Sequence, residues 1–145
     1  MKCYCDTSFL ASLYLRDANS VEVTAWAEKT SIPVPLTGLG ELELTNIVQQ
    51  RLFRREITRE EAQAVLRHVE SDLDSGFLKR VPLESNAYRK AVELAKQHTA
   101  EGGYRSLDVL HVAAALTLGT TEFFTYDEKQ RRLALKAGLR VKPRG

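Results

Sequence analysis

Residues 106–127 read SLDVLHVAAALTLGTTEFFTYD, and the fold follows from how this stretch is read. Val109, Leu110, Val112, Ala113, Ala114, Ala115 and Leu116 leave a helix over 106–118 almost no polar side. A helix apolar all round is buried inside a core, not laid on a surface. The short aromatic run at 122–125 that follows reads as a buried strand. Asp127 then opens a last helix over 127–137, closed by Gly138. Helix, strand, helix in that order indicates an α/β protein with a mainly parallel sheet.

The same alternation runs outward through the chain. Strands are predicted at 2–5, 33–36, 77–82 and 140–142 besides 122–125. Helices are predicted at 8–15, 20–30 (with Asn19 as an alternative start), 39–55 and 85–100. Thr58 and Glu61 form a capping box that opens another helix, running to about Asp74. Gly102-Gly103 breaks the chain before the buried helix. No repeat, low-complexity segment or linker interrupts the 145 residues, so 1–145 is expected to be a single domain.

Composition is that of an ordinary soluble protein, 43% hydrophobic and 28% charged. No apolar run approaches the roughly 20 residues of a membrane span. After Met1-Lys2, Asp6 interrupts the first apolar stretch, so no secretory leader is expected. The expected location is the cytoplasm, without membrane attachment. Cys3 and Cys5 would share one face of the first strand, too far apart for an easy disulfide, and are expected to be reduced and buried.

A formal net charge of +2 says little about partners. Its distribution says more: Arg51, Arg54, Arg55 and Arg59 cluster mid-chain, and Arg131, Arg132, Lys136, Arg140, Lys142 and Arg144 crowd the C-terminal segment. Such patches attract phosphates, and solvated helix faces look the same.

The acids carry the chemistry. Asp6 follows the first strand, and Asp127 follows the strand at 122–125. Ligands of open parallel sheets bind at those carboxyl ends. Both acids also suit helix caps, Asp127 with Gln130 as a box partner. Ser106 is the natural cap of the buried helix, and Asp108 then lies where the helix dipole favours an anion. A buried acid must be paired, capped or metal-bound, and His111, one turn on, is the expected partner. Glu43 lies on a stripe with Asn46, Gln50 and Arg54. Glu41 points about 200° away with Thr45 and Gln49, and periodicity does not choose between the two.

As a group, three or four carboxylates at one sheet edge suit Mg²⁺ or Mn²⁺. Such an ion relieves the repulsion of crowded acids and turns water into a nucleophile toward a phosphodiester. Competing chemistries lack their parts. The sequence has no phosphate-binding Gly-Lys-Ser/Thr loop, no dinucleotide glycine pattern and no Gly-x-Ser-x-Gly elbow. It also lacks the second aspartate of an aspartate-nucleophile phosphatase.

Four segments in order carry a resemblance. They are Cys5-Asp6-Thr7-Ser8, Glu43-Leu44-Thr45-Asn46, Leu107-Asp108-Val109-Leu110-His111-Val112-Ala113 and Thr125-Tyr126-Asp127. With these the chain resembles PIN-domain proteins, most closely the toxin ribonucleases of VapBC-type toxin–antitoxin pairs. The resemblance implies a three-layer α/β/α fold around a central parallel sheet. It implies that Asp6, Asp108 and Asp127 hold Mg²⁺ or Mn²⁺, and that Glu43 completes the catalytic set, its Glu-x-x-Asn pattern with Asn46 favouring it over Glu41. Ser8 and Thr125 would be supporting hydroxyls, and Arg54 and Arg131 candidate RNA contacts. A homodimer, a cognate antitoxin that blocks the site and endonucleolytic cleavage of RNA are further implications. The alternatives are a PIN nuclease of RNA processing that is no toxin, and a non-catalytic nucleic-acid-binding module.

Overall fold

The structure is a computed structural model that describes residues 2–30 and 33–143; Arg144 of the basic C-terminal cluster lies outside the described residues. The elements are β1 (Cys3–Cys5), α1 (Thr7–Tyr14), α2 (Ser20–Lys29), β2 (Val34–Thr37), α3 (Gly38–Phe53), α4 (Arg59–Ser75), β3 (Leu78–Val81), α5 (Ser85–Gly102), α6 (Ser106–Thr117), β4 (Glu122–Phe124), α7 (Glu128–Lys136) and β5 (Arg140–Lys142). Each expected strand and helix is present, with ends moved by a residue or two.

Local chemistry accounts for the boundaries. Both halves of the Thr58–Glu61 box are made, at 3.1 and 3.0 Å, and Gly76 closes α4 in the left-handed region at φ 88°. The two glycines after α5 have separate tasks. Gly103 takes φ 67°, while a Cβ on Gly102 would stand 2.3 Å from the Tyr104 ring. One cap differs from expectation: α6 starts after Arg105, with no side-chain cap, and Ser106 is already helical. Asp108, in that first turn, supplies the negative charge the helix end favours.

Every strand pairing is parallel. Tyr4 lies opposite Phe123, Phe123 opposite Val141, and Pro35 opposite Lys79. The hydrogen-bonded ladders are β1-β4-β5 and β2-β3. β2 lies beside β1 without a ladder, so the single sheet expected from sequence is hydrogen-bonded in two pieces. Pro35 supplies the reason. The Val34 amide donates to the Phe77 carbonyl at 2.7 Å, which points Val34 toward β3. Alternation then turns Pro35, which has no N–H, toward β1.

Alternation also builds the three layers. Cys3 and Cys5, both buried free thiols, face a core made with α1 to α4, whereas Tyr4 faces a second core made with α5 to α7. Phe123 joins Tyr4, their rings stacked at 5.5 Å. Phe124 turns the other way, to Phe9 and Trp26. In α6 all residues from Asp108 to Ala115 are buried, as its composition demands. Among the described residues no helix is long and apolar enough to cross a membrane.

The chain steps from β1 out to β2 and β3, then returns to place β4 on the other side of β1. That reversal opens a crevice at the carboxyl ends of β1 and β4, where a parallel α/β sheet receives its ligand.

Candidate active site

Asp6 stands in this crevice. Its amide still bonds the Phe124 carbonyl at 3.0 Å, and its extended backbone then turns the chain into α1 as the N-cap. Oδ1 accepts from the Phe9 amide at 3.0 Å and from Ser8 Oγ at 2.7 Å; Oδ2 accepts from Thr125 Oγ1 at 2.5 Å. The residue is 1% exposed. Burial pushes its carboxyl above the ordinary aspartate range, against the pull of the Thr125, Ser8 and Phe9 hydrogen bonds. Such an anion attracts a cation.

The supporting hydroxyls stitch the two strand ends together. The Tyr126 amide donates to Ser8 Oγ at 2.9 Å, and the Asp127 amide to Thr125 Oγ1 at 2.9 Å. Thr125 is itself anchored by its own amide on the Lys142 carbonyl.

Glu43 reaches the same region from α3. Its Oε1 accepts from Thr7 Oγ1 at 2.7 Å and pairs with His111 Nε2. Burial pushes the Glu43 carboxyl up, but the hydrogen bonds from His111 and Thr7 and the charge of Arg105 hold it below the usual glutamate range. Glu41 points elsewhere, forked onto Arg80 at 3.0 and 2.8 Å. The tie that helical periodicity left is thus resolved by tertiary contacts: Glu43 faces the crevice.

His111 therefore pairs with Glu43 and not, as expected, with Asp108. The two α6 residues lie one turn apart on one face, but the imidazole is turned toward α3. Asp108, 8% exposed, has Arg105 Nε at 3.5 Å from its Oδ2, on a side chain 80% exposed. Asp127 is an N-cap in fact, its Oδ1 accepting from the Gln130 amide at 3.0 Å. The returning half of the expected box is missing, and among the described residues none bonds the buried Gln130 Oε1. Asp127 connects to Asp6 through Thr125, by its backbone.

Asn46 and Arg54 are exposed on α3, and Arg54 bonds Gln50 at 3.1 Å along the expected stripe. Arg131 is largely engaged, donating to the Pro143 carbonyl at 2.7 Å and the Thr125 carbonyl at 3.5 Å. Thr7 and Tyr4 were not singled out in the sequence. Thr7 could have been noticed between Asp6 and Ser8, and Tyr4 as a strand phenol that needs a partner once buried.

Among the described residues no three His, Cys, Asp or Glu side chains close into a metal cage. All-carboxylate donors, few in number, suit an ion that keeps several waters and takes one or two protein carboxylates plus a substrate phosphate. A hard divalent cation fits that description.

The family model described as PIN domain matches residues 3–136. No curated protein matches the chain. Among solved structures, the chain is similar to VapC20 of Mycobacterium tuberculosis, a sarcin–ricin loop cleaving toxin, at TM-score 0.72 and 19% identity over 99% of this chain and 100% of that one. It is also similar to VapBC2 of Rickettsia felis bound to a DNA fragment from their promoter, at 0.66 and 15% over 98% of each chain. A third is FitAcB of Neisseria gonorrhoeae, at 0.68 and 15% over 96% of this chain and 95% of that one.

Proposed function

The chain belongs to the PIN-domain family, and from that premise we propose that it is a divalent-metal-dependent endoribonuclease, the toxin of a VapBC-type pair. The observation that supports this reading is Asp6 at the carboxyl end of β1, with Glu43 of α3 tied beside it through Thr7. Glu43 bonds Thr7, the neighbour of Asp6, and His111, one turn from Asp108. These two contacts tie α3 to the start of α1, where Asp6 is the cap, and to α6, the helix that carries Asp108.

Mg²⁺ or Mn²⁺, bound there, supplies an activated water and neutralises charge on a cleaved phosphodiester. Asp6 and Asp108 would hold it, with Asp127 at the margin acting through water. Ser8 and Thr125 keep the Asp6 oxygens aimed. Glu43, held in its ionised form, is the group placed to take a proton from water. Exposed Arg54 and Arg105 are suited to substrate phosphates, whereas Arg131 has little fork left to offer. RNA as the substrate is taken over from VapC20, a sarcin–ricin loop cleaving toxin. The antitoxin partner follows the VapBC complexes, and a homodimer in the cytoplasm completes the reading.

Purified protein with Mn²⁺ and structured RNA tests the proposal, with cleaved ends located by sequencing. Glu43→Gln is expected to lower the rate by roughly 10²–10⁴-fold, as loss of a general base does. Glu41→Gln breaks only an exposed ion pair, a contact worth about 0–1 kcal/mol, and is expected to leave cleavage unchanged. Asp108→Asn is expected to remove cleavage and growth arrest while the fold persists. Undiminished cleavage by purified Asp108→Asn protein would overturn the mechanism.

A further inference from the structure

We propose that His111 is a positioning residue for Glu43, set in one tautomer by Tyr4, so that Glu43 Oε1 is held and Oε2 is the working atom. The inference rests on the nuclease reading above and adds to it a role for two buried groups that the four acids do not explain.

The Tyr4 hydroxyl lies 2.6 Å from His111 Nδ1, both groups buried. A tyrosine hydroxyl carries a hydrogen, and the ring atom it faces is Nδ1. A phenol that keeps its proton donates it, so Nδ1 accepts. A neutral imidazole with an accepting Nδ1 carries its hydrogen on Nε2. That hydrogen is aimed at Glu43 Oε1.

Thr7 Oγ1 donates to the same oxygen at 2.7 Å. Two donors, one from α6 and one from α1, thus converge on a single oxygen of a side chain borne by α3. Among the described residues none hydrogen-bonds Glu43 Oε2, which leaves that atom to meet a water or substrate. The chain of bonds runs from Tyr4 on β1 through His111 to Glu43, and the β1 strand that carries Tyr4 also delivers Asp6. The arrangement couples the register of β1 to the orientation of the proton acceptor. It needs a histidine with both nitrogens engaged, which a merely packed ring does not.

The test combines a tautomer measurement with steady-state cleavage of RNA in Mn²⁺. The chain has three histidines, so long-range ¹⁵N spectra of the full chain resolve each ring. Wild-type His111 is expected as the Nε2–H tautomer with a slowly exchanging ring hydrogen. Tyr4→Phe keeps the ring stacked on Phe123 and removes only the hydroxyl. It is expected to mix the tautomers and to lower kcat about tenfold at unchanged KM. His111→Leu is expected to lower kcat about 10²-fold, the scale of a misplaced catalytic group. His111→Gln, whose amide reaches the place of Nε2, is expected to recover most of that loss.

Tyr4→Phe protein with wild-type tautomer and wild-type kcat would overturn the proposal. So would equal kcat for folded His111→Leu and His111→Gln. Wild-type protein that cleaves no RNA would overturn the nuclease reading instead, and the Tyr4→Phe spectrum would still decide whether Tyr4 sets the tautomer.

Discussion

Asp6→Asn is expected to abolish RNA cleavage and, at neutral pH, to raise the melting temperature. The loss of activity should exceed the roughly 10–100-fold that removal of a mere supporting partner costs a metal site, because Asp6 is itself the buried anion at the crevice. The gain in stability comes from the same burial. A carboxyl whose folded pKa lies above its unfolded value contributes stability below the unfolded pKa, and that contribution is lost as pH rises through the folded one. Ionising the 1% exposed Asp6 therefore works against folding. Asparagine carries no charge, keeps an oxygen for the Phe9 amide and Ser8, and presents an amide to Thr125.

Melting curves at several pH values check this account. The advantage of Asp6→Asn over wild type is expected to be largest at neutral pH and to shrink toward the ordinary aspartate range. Mn²⁺ is expected to raise the wild-type midpoint, since a ligand that binds only the folded state stabilises it, and to leave the variant unmoved. A variant that melts at or below the wild-type temperature at pH 7 would show that the charge is not the strained element.

Phe123→Ala is expected to cost about 3–5 kcal/mol, a large share of the stability of a domain whose total is roughly 5–15 kcal/mol. Phe123 is fully buried on the middle strand of the β1-β4-β5 ladder and stacks on Tyr4 with ring planes 10° apart. Alanine leaves a cavity between the sheet and α6, which packed backbone cannot fill. The site should suffer as well, because Tyr4 loses the ring that holds it against His111. Urea unfolding gives the free energy, and cleavage per folded molecule gives the second effect. Phe123→Leu should cost less on both counts, and a loss below about 1 kcal/mol for alanine would contradict the packing described.

Much of this could be read along the chain, for a reason of range. An apolar run that leaves a helix no polar side, a Thr58–Glu61 box and a glycine pair after a helix are settled by residues within one or two turns. So were the positions of Asp6 and Asp127 after strands, and the parallel character of the sheet. The Glu41–Glu43 choice was not, because a helical period separates two faces without saying which meets the sheet. Arg80, on a strand 39 residues away, settles it by taking Glu41.

His111 shows the same limit. Its neighbour on the helix face, Asp108, was the natural partner, yet the imidazole meets Glu43, 68 residues back. Pro35 was visible as a residue without an N–H, but only the pairing of Val34 with β3 reveals that the gap faces β1.

By itself, then, the sequence determined the kinds and order of elements, their buried or solvated character, and an acid at the end of each of two strands. The tertiary structure alone decided that those two strands are neighbours. It bound Thr125 to Asp6 across 119 residues and brought Glu43 to Thr7 across 36. It also tied Asp127 to Thr125 through its amide and set a histidine against Glu43. Hydrogen bonds of caps and helices close locally, whereas a catalytic cluster exists only where packing brings distant segments within bonding distance.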